Sequence, residues 1–157
     1  AGAGLFLDVG SHTLDLLDYL LGPITAVGGQ AANLAGLYAA EDMVTAAWSH
    51  SCGALGSGSW CFCTDRPADE VTLVGASGEI RFATYADRPV VLEDAHGTHE
   101  FAISQPEHAQ EPLIRTVVED LLGLGRCPST GESGARTSWV MDQVLAGWRA
   151  GGAGRPG

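Results

Sequence analysis

The sequence predicts an α+β fold: a mostly antiparallel open sheet of about six strands with its helices packed on one face. Three observations carry this. Residues 4–22 show an apolar period of about 100° per residue, the mark of a helix. Short runs between Ile24 and Ile103 then alternate apolar and polar side chains and are joined by tight turns. From Ala109 onward the period becomes helical again.

Gly4 to Gly22 reads as the first helix. Phe6, Leu7, Val9, Leu14, Leu16, Leu17, Leu20 and Leu21 fill more than half its circumference, more than a surface helix needs. The remaining stripe, Asp8, Ser11, His12, Asp15, Asp18 and Tyr19, is therefore expected to line a cleft. Gly10 in mid-helix costs roughly 1 kcal/mol relative to alanine, which points to close approach of another backbone or a ligand. Gly22-Pro23 stops the helix, since a glycine cap is followed by a residue that cannot continue it.

Ile24 to Asn33 reads as a strand and Leu34 to Ala40 as a loop. Glu41–Ser51 and Ala54–Thr64 both alternate and form a hairpin about Cys52-Gly53. In the second run Leu55, Ser57, Ser59, Cys61 and Cys63 face one way, and Gly56, Gly58, Trp60 and Phe62 the other. The first of these faces is small and polar, so a second backbone or subunit can lie flat on it. Asp65–Asp69 is a turn, and strands follow at Glu70–Gly75, Glu79–Thr84, Pro89–Glu93 and Thr98–Ile103. Ala109–Leu122 is a helix with Leu113, Ile114, Val117, Val118, Leu121 and Leu122 on one side, stopped by Gly123 and Gly125. Ser129-x-x-Glu132 reads as a capping box opening a helix from about Thr130 to Trp148. Its apolar set is Trp139, Val140, Val144, Leu145 and Trp148. Residues 151–157 read as a frayed tail, leaving 1–150 as one domain.

The chain has 157 residues, 45% of them hydrophobic, enough to bury a core. Its formal charge is 8 − 19 = −11, and every basic residue is arginine. That balance argues against nucleic acid or an anionic membrane surface as partner. No apolar run reaches the roughly 18 residues of a membrane span, and no signal peptide is legible. The chain does not begin with methionine, and the sequence reading expects a segment upstream. Cys61 and Cys63, two residues apart on one strand face, are expected about 7 Å apart. With Cys52 and Cys127 they match no zinc spacing. Buried free thiols, no metal and a reducing, cytoplasmic setting are expected.

The chemistry-bearing pair is Asp8 and His12, at i and i+4 on the polar stripe. A carboxylate beside an imidazole can fix its tautomer and raise its basicity, as a general base requires. Such pairs are also common on the wet faces of ordinary helices, and the residues alone leave both readings open. The order Gly4-x3-Asp8-x-Gly10-x-His12-x2-Asp15-x-Leu17-x2-Leu20-x-Gly22 resembles the segment that opens the C-terminal domain of the Gfo/Idh/MocA family of NAD(P)-dependent sugar and polyol oxidoreductases. Glu79-Ile80-Arg81-Phe82 after Gly78, and Pro128-Ser129-Thr130-Gly131-Glu132 before the last helix, resemble later segments of that domain.

The resemblance implies the same α+β architecture, with the free sheet face used for homo-oligomers. It implies His12 as general acid/base on a substrate hydroxyl, and Asp8 as its partner and a second substrate contact. Asp15 is expected to be structural, as a cap or ion-pair partner. NAD or NADP would be bound mainly by an N-terminal Rossmann domain that this chain lacks: no strand, glycine-rich turn and helix N-terminus occur in order, and there is no lysine. The expected function is oxidation of a secondary alcohol of a sugar, cyclitol or similar small molecule, with the isolated chain inactive. A non-catalytic scaffold of the same fold is the alternative, and different chemistry on the same cofactor a third reading. His108, before a helix start, is a further substrate-binding candidate. His96 and His99 flank a turn, and His50 beside Trp48 reads as packing.

Overall fold

The computed structural model describes residues 4–151. The fold is α+β, and the seven strands among the described residues pair antiparallel in a three-stranded and a four-stranded sheet. Residues 4–65 together with 128–151 form one compact unit, and residues 66–127 form a second. The sequence pattern gives strands and turns but not which hairpins share a sheet, because sheet membership is set by packing rather than period. The tail read from residue 151 on lies, Gly151 apart, outside the described residues.

The first unit opens with a π-helical turn, Phe6–Gly10, that runs directly into helix α1, Ser11–Leu21. The glycine at its centre is explained locally. A Cβ on Gly10 would stand 2.5 Å from Phe6 Cδ2, so the close neighbour is the ring of the same turn, not a ligand. Gly22 ends α1 at φ +84°, a conformation open to glycine.

Strands β1 (Ile24–Ala32), β2 (Met43–His50) and β3 (Leu55–Cys61) pair in that order. Their inner face carries Val44, Ala46 and Trp48, with Trp60 beside them. Gly56 and Gly58 make room on β3 for the two indoles, since a Cβ at Gly56 would meet Trp48 at 2.4 Å. Phe6 closes the cluster edge-on to Trp60, ring centres 4.9 Å apart. The outer face of β3 is exposed, as the alternation predicts.

Helix α3 (Gly131–Val144) and the short α4 (Ala146–Ala150) pack on β1, and α1 packs on α3. Gly29 lets α3 approach, because a Cβ there would lie 2.7 Å from Val144 Cγ1. The capping box is one residue later than read: Thr130 is the cap, accepting from Ser133 N while Ser133 Oγ accepts from Thr130 N. The buried set is Thr137, Val140, Met141, Val144 and Leu145, whereas Trp139 is exposed. The helix also breaks at Leu145 rather than running unbroken to Trp148.

In the second unit, β4 (Val71–Gly75), β5 (Gly78–Phe82), β6 (Val90–Asp94) and β7 (Gly97–Phe101) form a meander. Asp69, just before β4, organises the β5–β6 connection by accepting from the backbone N–H groups of Thr84, Tyr85 and Ala86 at 2.7–2.9 Å. Helix α2 (Glu111–Leu121) forms as the period predicts, with Pro112 in its first turn. None of its residues is buried.

Candidate functional site

The stripe read on the first helix divides in two. Asp18 is buried, 5% exposed, and forms a forked pair with Arg136 of α3, Nη2 to Oδ2 at 2.6 Å and Nε to Oδ2 at 3.2 Å. Its Oδ1 also accepts from Ile24 N at 3.3 Å. The hydrogen bond to Asp18 holds the Arg136 proton above its ordinary range, against some desolvation, with Glu132 and Asp15 adding to it. Asp15 accepts from Thr137 Oγ1 at 2.8 Å. These two carboxylates dock the helix onto α3, so they belong to the framework and not to a cleft wall.

Asp8 and His12 remain outward and exposed. They straddle the junction where the π turn passes into α1, and the wider turn rotates Asp8 relative to its place on a uniform helix. Ser11 Oγ donates to Asp8 O at 2.6 Å, fixing the backbone at the junction. Three anchors therefore hold a segment whose outward groups are a carboxylate and an imidazole: buried Phe6 on Gly10, half-buried Asp15 on Thr137, and buried Asp18 on Arg136. Insertions of this kind in helices occur frequently at functional sites.

The other histidines separate cleanly. His50 is 3% exposed; its Nδ1–H donates to Gly22 O at 2.7 Å and its Nε2 accepts from the Trp48 indole N–H at 3.1 Å. It is a neutral packing residue that ties the end of α1 to the β2–β3 hairpin, as read. His108 lies in the second unit, exposed in the bend before α2, where its carbonyl accepts from Glu111 N at 2.9 Å. His96 and His99 are exposed about the β6–β7 turn.

Two residues that organise loops carry no signal in the sequence reading. Asp42, 1% exposed, accepts from Leu34 N and Ala35 N at 2.7 and 2.8 Å and shapes the β1–β2 loop. Asp69 is lifted by desolvation, but its three backbone donors and Arg88 outweigh that and leave its carboxyl below the usual range. An aspartate bonding backbone several residues away is a known turn device, but its partner cannot be read from spacing.

The cysteines depart from expectation. Cys52, Cys61 and Cys63 are exposed and Cys127 is half-buried. Cys61 Sγ and Cys63 Sγ stand 3.6 Å apart, half the strand spacing, because β3 ends at Cys61 and the chain bends.

Two concavities of about 430 and 220 Å³ lie in the second unit and include neither Asp8 nor His12. Among the described residues no strand, glycine-rich turn and helix N-terminus come together as a dinucleotide would need, so these residues do not fit a nicotinamide dinucleotide site. Asp8 and His12 thus present one open wall.

The GFO/IDH/MocA C-terminal domain family matches residues 1–81, more than half the chain. The chain belongs to this family. A relative, Oxidoreductase P35 of Formosa agariphila, is 26% identical over 90% of this chain, and the chain spans 43% of that protein's length. An oxidoreductase from Agrobacterium radiobacter, solved with NAD⁺, L-tartaric acid and magnesium, superposes with a TM-score of 0.78 at 16% identity, over 95% of this chain and 49% of its own. The WlbA dehydrogenase of Bordetella pertussis, solved with NADH and UDP-GlcNAcA, gives a TM-score of 0.71 at 24% identity, over 96% of this chain and 46% of its own. The UDP-N-acetylglucosamine 3-dehydrogenase GnnA of Acidithiobacillus ferrooxidans gives 0.78 at 16% identity, over 90% and 46%. These likenesses establish the fold. Among the described residues no helix is long and apolar enough to cross a membrane.

Proposed function

We propose that this domain is the substrate-side half of an NAD(P)-dependent dehydrogenase that oxidises a secondary alcohol of a sugar, cyclitol or similar small molecule. The observation that carries the reading is the anchored helix junction that presents Asp8 and His12 outward while spending Asp15 and Asp18 on its own attachment. Family membership and nicotinamide-bound fold neighbours support the chemistry.

The chain's own part is proton handling. His12 takes the proton of the substrate hydroxyl as the carbon is oxidised, and returns it in the reverse direction. Asp8 orients the imidazole and binds a neighbouring hydroxyl. A nicotinamide held by a different domain supplies the hydride acceptor. The isolated chain is inactive on this reading, because its described residues form one wall of the site and no dinucleotide-binding fold. In the reducing cytoplasm, two copies pair over the exposed face of β3, where the small side chains of Ser57 and Ser59 allow close approach.

A scaffold domain that keeps the fold without catalysis is the second reading, favoured by that same open face and the lack of lysine. Nicotinamide binding separates the two. The full-length protein is expected to bind NAD⁺ or NADP⁺ and the isolated chain neither; a full-length protein that binds neither supports the scaffold.

A further inference from the structure

In the β2–β3 ladder Cys61 lies directly opposite Met43, and residues opposite one another in an antiparallel pair share a face. The inner face takes the next pair, Val44 and Trp60, so Met43 and Cys61 are on the outer one. Cys63 then returns to the same spot, its Sγ 3.6 Å from that of Cys61. The bend that brings it back is fixed: Phe62 N donates to Asp42 O at 2.8 Å, and Asp42 is itself buried by its bonds to the β1–β2 loop. Two thiols are thus in contact at the end of the hairpin away from its turn, with Met43 the cross-strand neighbour of Cys61 on the same face.

We propose that Cys61, Cys63 and Met43 form an all-sulfur site for a monovalent thiophilic cation of the Cu(I) class. With metal–sulfur bonds of about 2.3 Å, a sulfur separation of 3.6 Å corresponds to an angle at the metal of about 100°. That is near the trigonal-to-tetrahedral range without moving the backbone. A disulfide needs about 2.05 Å, so the sulfurs would have to close by roughly 1.5 Å. The donor set selects the ion. Thiolate and thioether sulfur favour Cu(I), whereas zinc sites draw four ligands from cysteine, histidine and carboxylate. Among the described residues no group of three such side chains is gathered, so zinc lacks its complement. Binding releases the two thiol protons, and the ion keeps its oxidation state. The site uses residues of one chain and is independent of the catalytic reading above.

The test is an anaerobic titration of the intact protein with Cu(I) against bicinchoninate as competing chelator. One Cu(I) per chain is expected to be withdrawn, with a sulfur-to-copper charge-transfer band. Cys61→Ser and Cys63→Ser should each weaken binding by more than the ~10–100-fold that loss of an outer-shell partner produces. Met43→Leu should weaken it less, and Cys52→Ser and Cys127→Ser should leave it unchanged. Alkylation of the unsubstituted protein gives a readout that needs no variant: Cu(I) should shield Cys61 and Cys63 and leave Cys52 reactive. Failure to compete with bicinchoninate, equal shielding of Cys52, or undiminished binding by the Cys61→Ser/Cys63→Ser double variant would each overturn the proposal.

Discussion

Replacing Asp18 by alanine removes the carboxylate that joins α1, β1 and α3. Breaking one partner of a fully buried pair costs about 3–5 kcal/mol, because the survivor keeps an uncompensated charge. Here the Asp18 side chain is 4% exposed but that of Arg136 is 35% exposed, so the freed guanidinium regains part of its hydration. A loss of about 2–4 kcal/mol is expected. With a urea slope of about 2 kcal/mol per molar, the unfolding midpoint of the first unit falls by about 1–2 M. Equilibrium urea unfolding, followed by tryptophan fluorescence, reads this, since Trp48 is buried in that unit's core with the half-buried Trp60 beside it. The double variant Asp18→Leu/Arg136→Met should recover much of the loss, with a coupling of at least about 1 kcal/mol in the mutant cycle. A loss below about 0.5 kcal/mol for Asp18→Ala would refute the reasoning. The pair would then behave as a screened surface contact, and the helix that carries Asp8 and His12 would be held by something else.

Three further outcomes follow from single contacts. Gly10→Ala drives a methyl into the fully buried Phe6 ring and should cost about 1–3 kcal/mol by thermal unfolding; a neutral result would mean the π turn can relax. His50→Ala leaves the Trp48 indole N–H and Gly22 carbonyl unpaired near the core and should cost about 2–4 kcal/mol, read by urea unfolding, with a loss under 1 kcal/mol counting against the neutral bridging role. Asp69, with its folded value below the unfolded one, stabilises the second unit above the unfolded value of about 3.9, and that stability is lost as pH falls through the folded value. Hydrogen exchange should therefore show Thr84, Tyr85 and Ala86 amides losing protection on acidification below about pH 4, and Asp69→Ala should remove it at neutral pH; protection that ignores both changes would contradict the cap.

Periodicity made most of the fold legible. The strand alternation of Leu55–Cys61, the glycine stop at Gly22 and the helical return after Ala109 all reflect forces that act within a few residues. What was not legible depends on partners distant in the chain. Asp18 shares its stripe with His12 and differs only because Arg136 arrives 118 residues later. The π turn has no local signature apart from Gly10, whose reason is a ring four residues before it. Cys61 and Cys63 obey the strand spacing only while the strand lasts, and it ends at Cys61. The division into two sheets likewise follows from which faces bury together. Among the candidate residues, type and spacing single out Asp8 and His12, and the structure adds what spacing lacks: the contacts that attach the segment and the exposure of both side chains.

The most direct measurement is hydride transfer by the full-length protein with His12→Gln beside the unsubstituted enzyme, over a panel of sugars and cyclitols, with nicotinamide affinity measured in parallel. The account predicts a turnover lower by about 10²–10⁴-fold for the variant. Cofactor binding should stay unchanged, because the proposal gives His12 the proton and no part in holding the dinucleotide. Turnover equal to that of the unsubstituted enzyme, or a loss traced to failed cofactor binding, would contradict it.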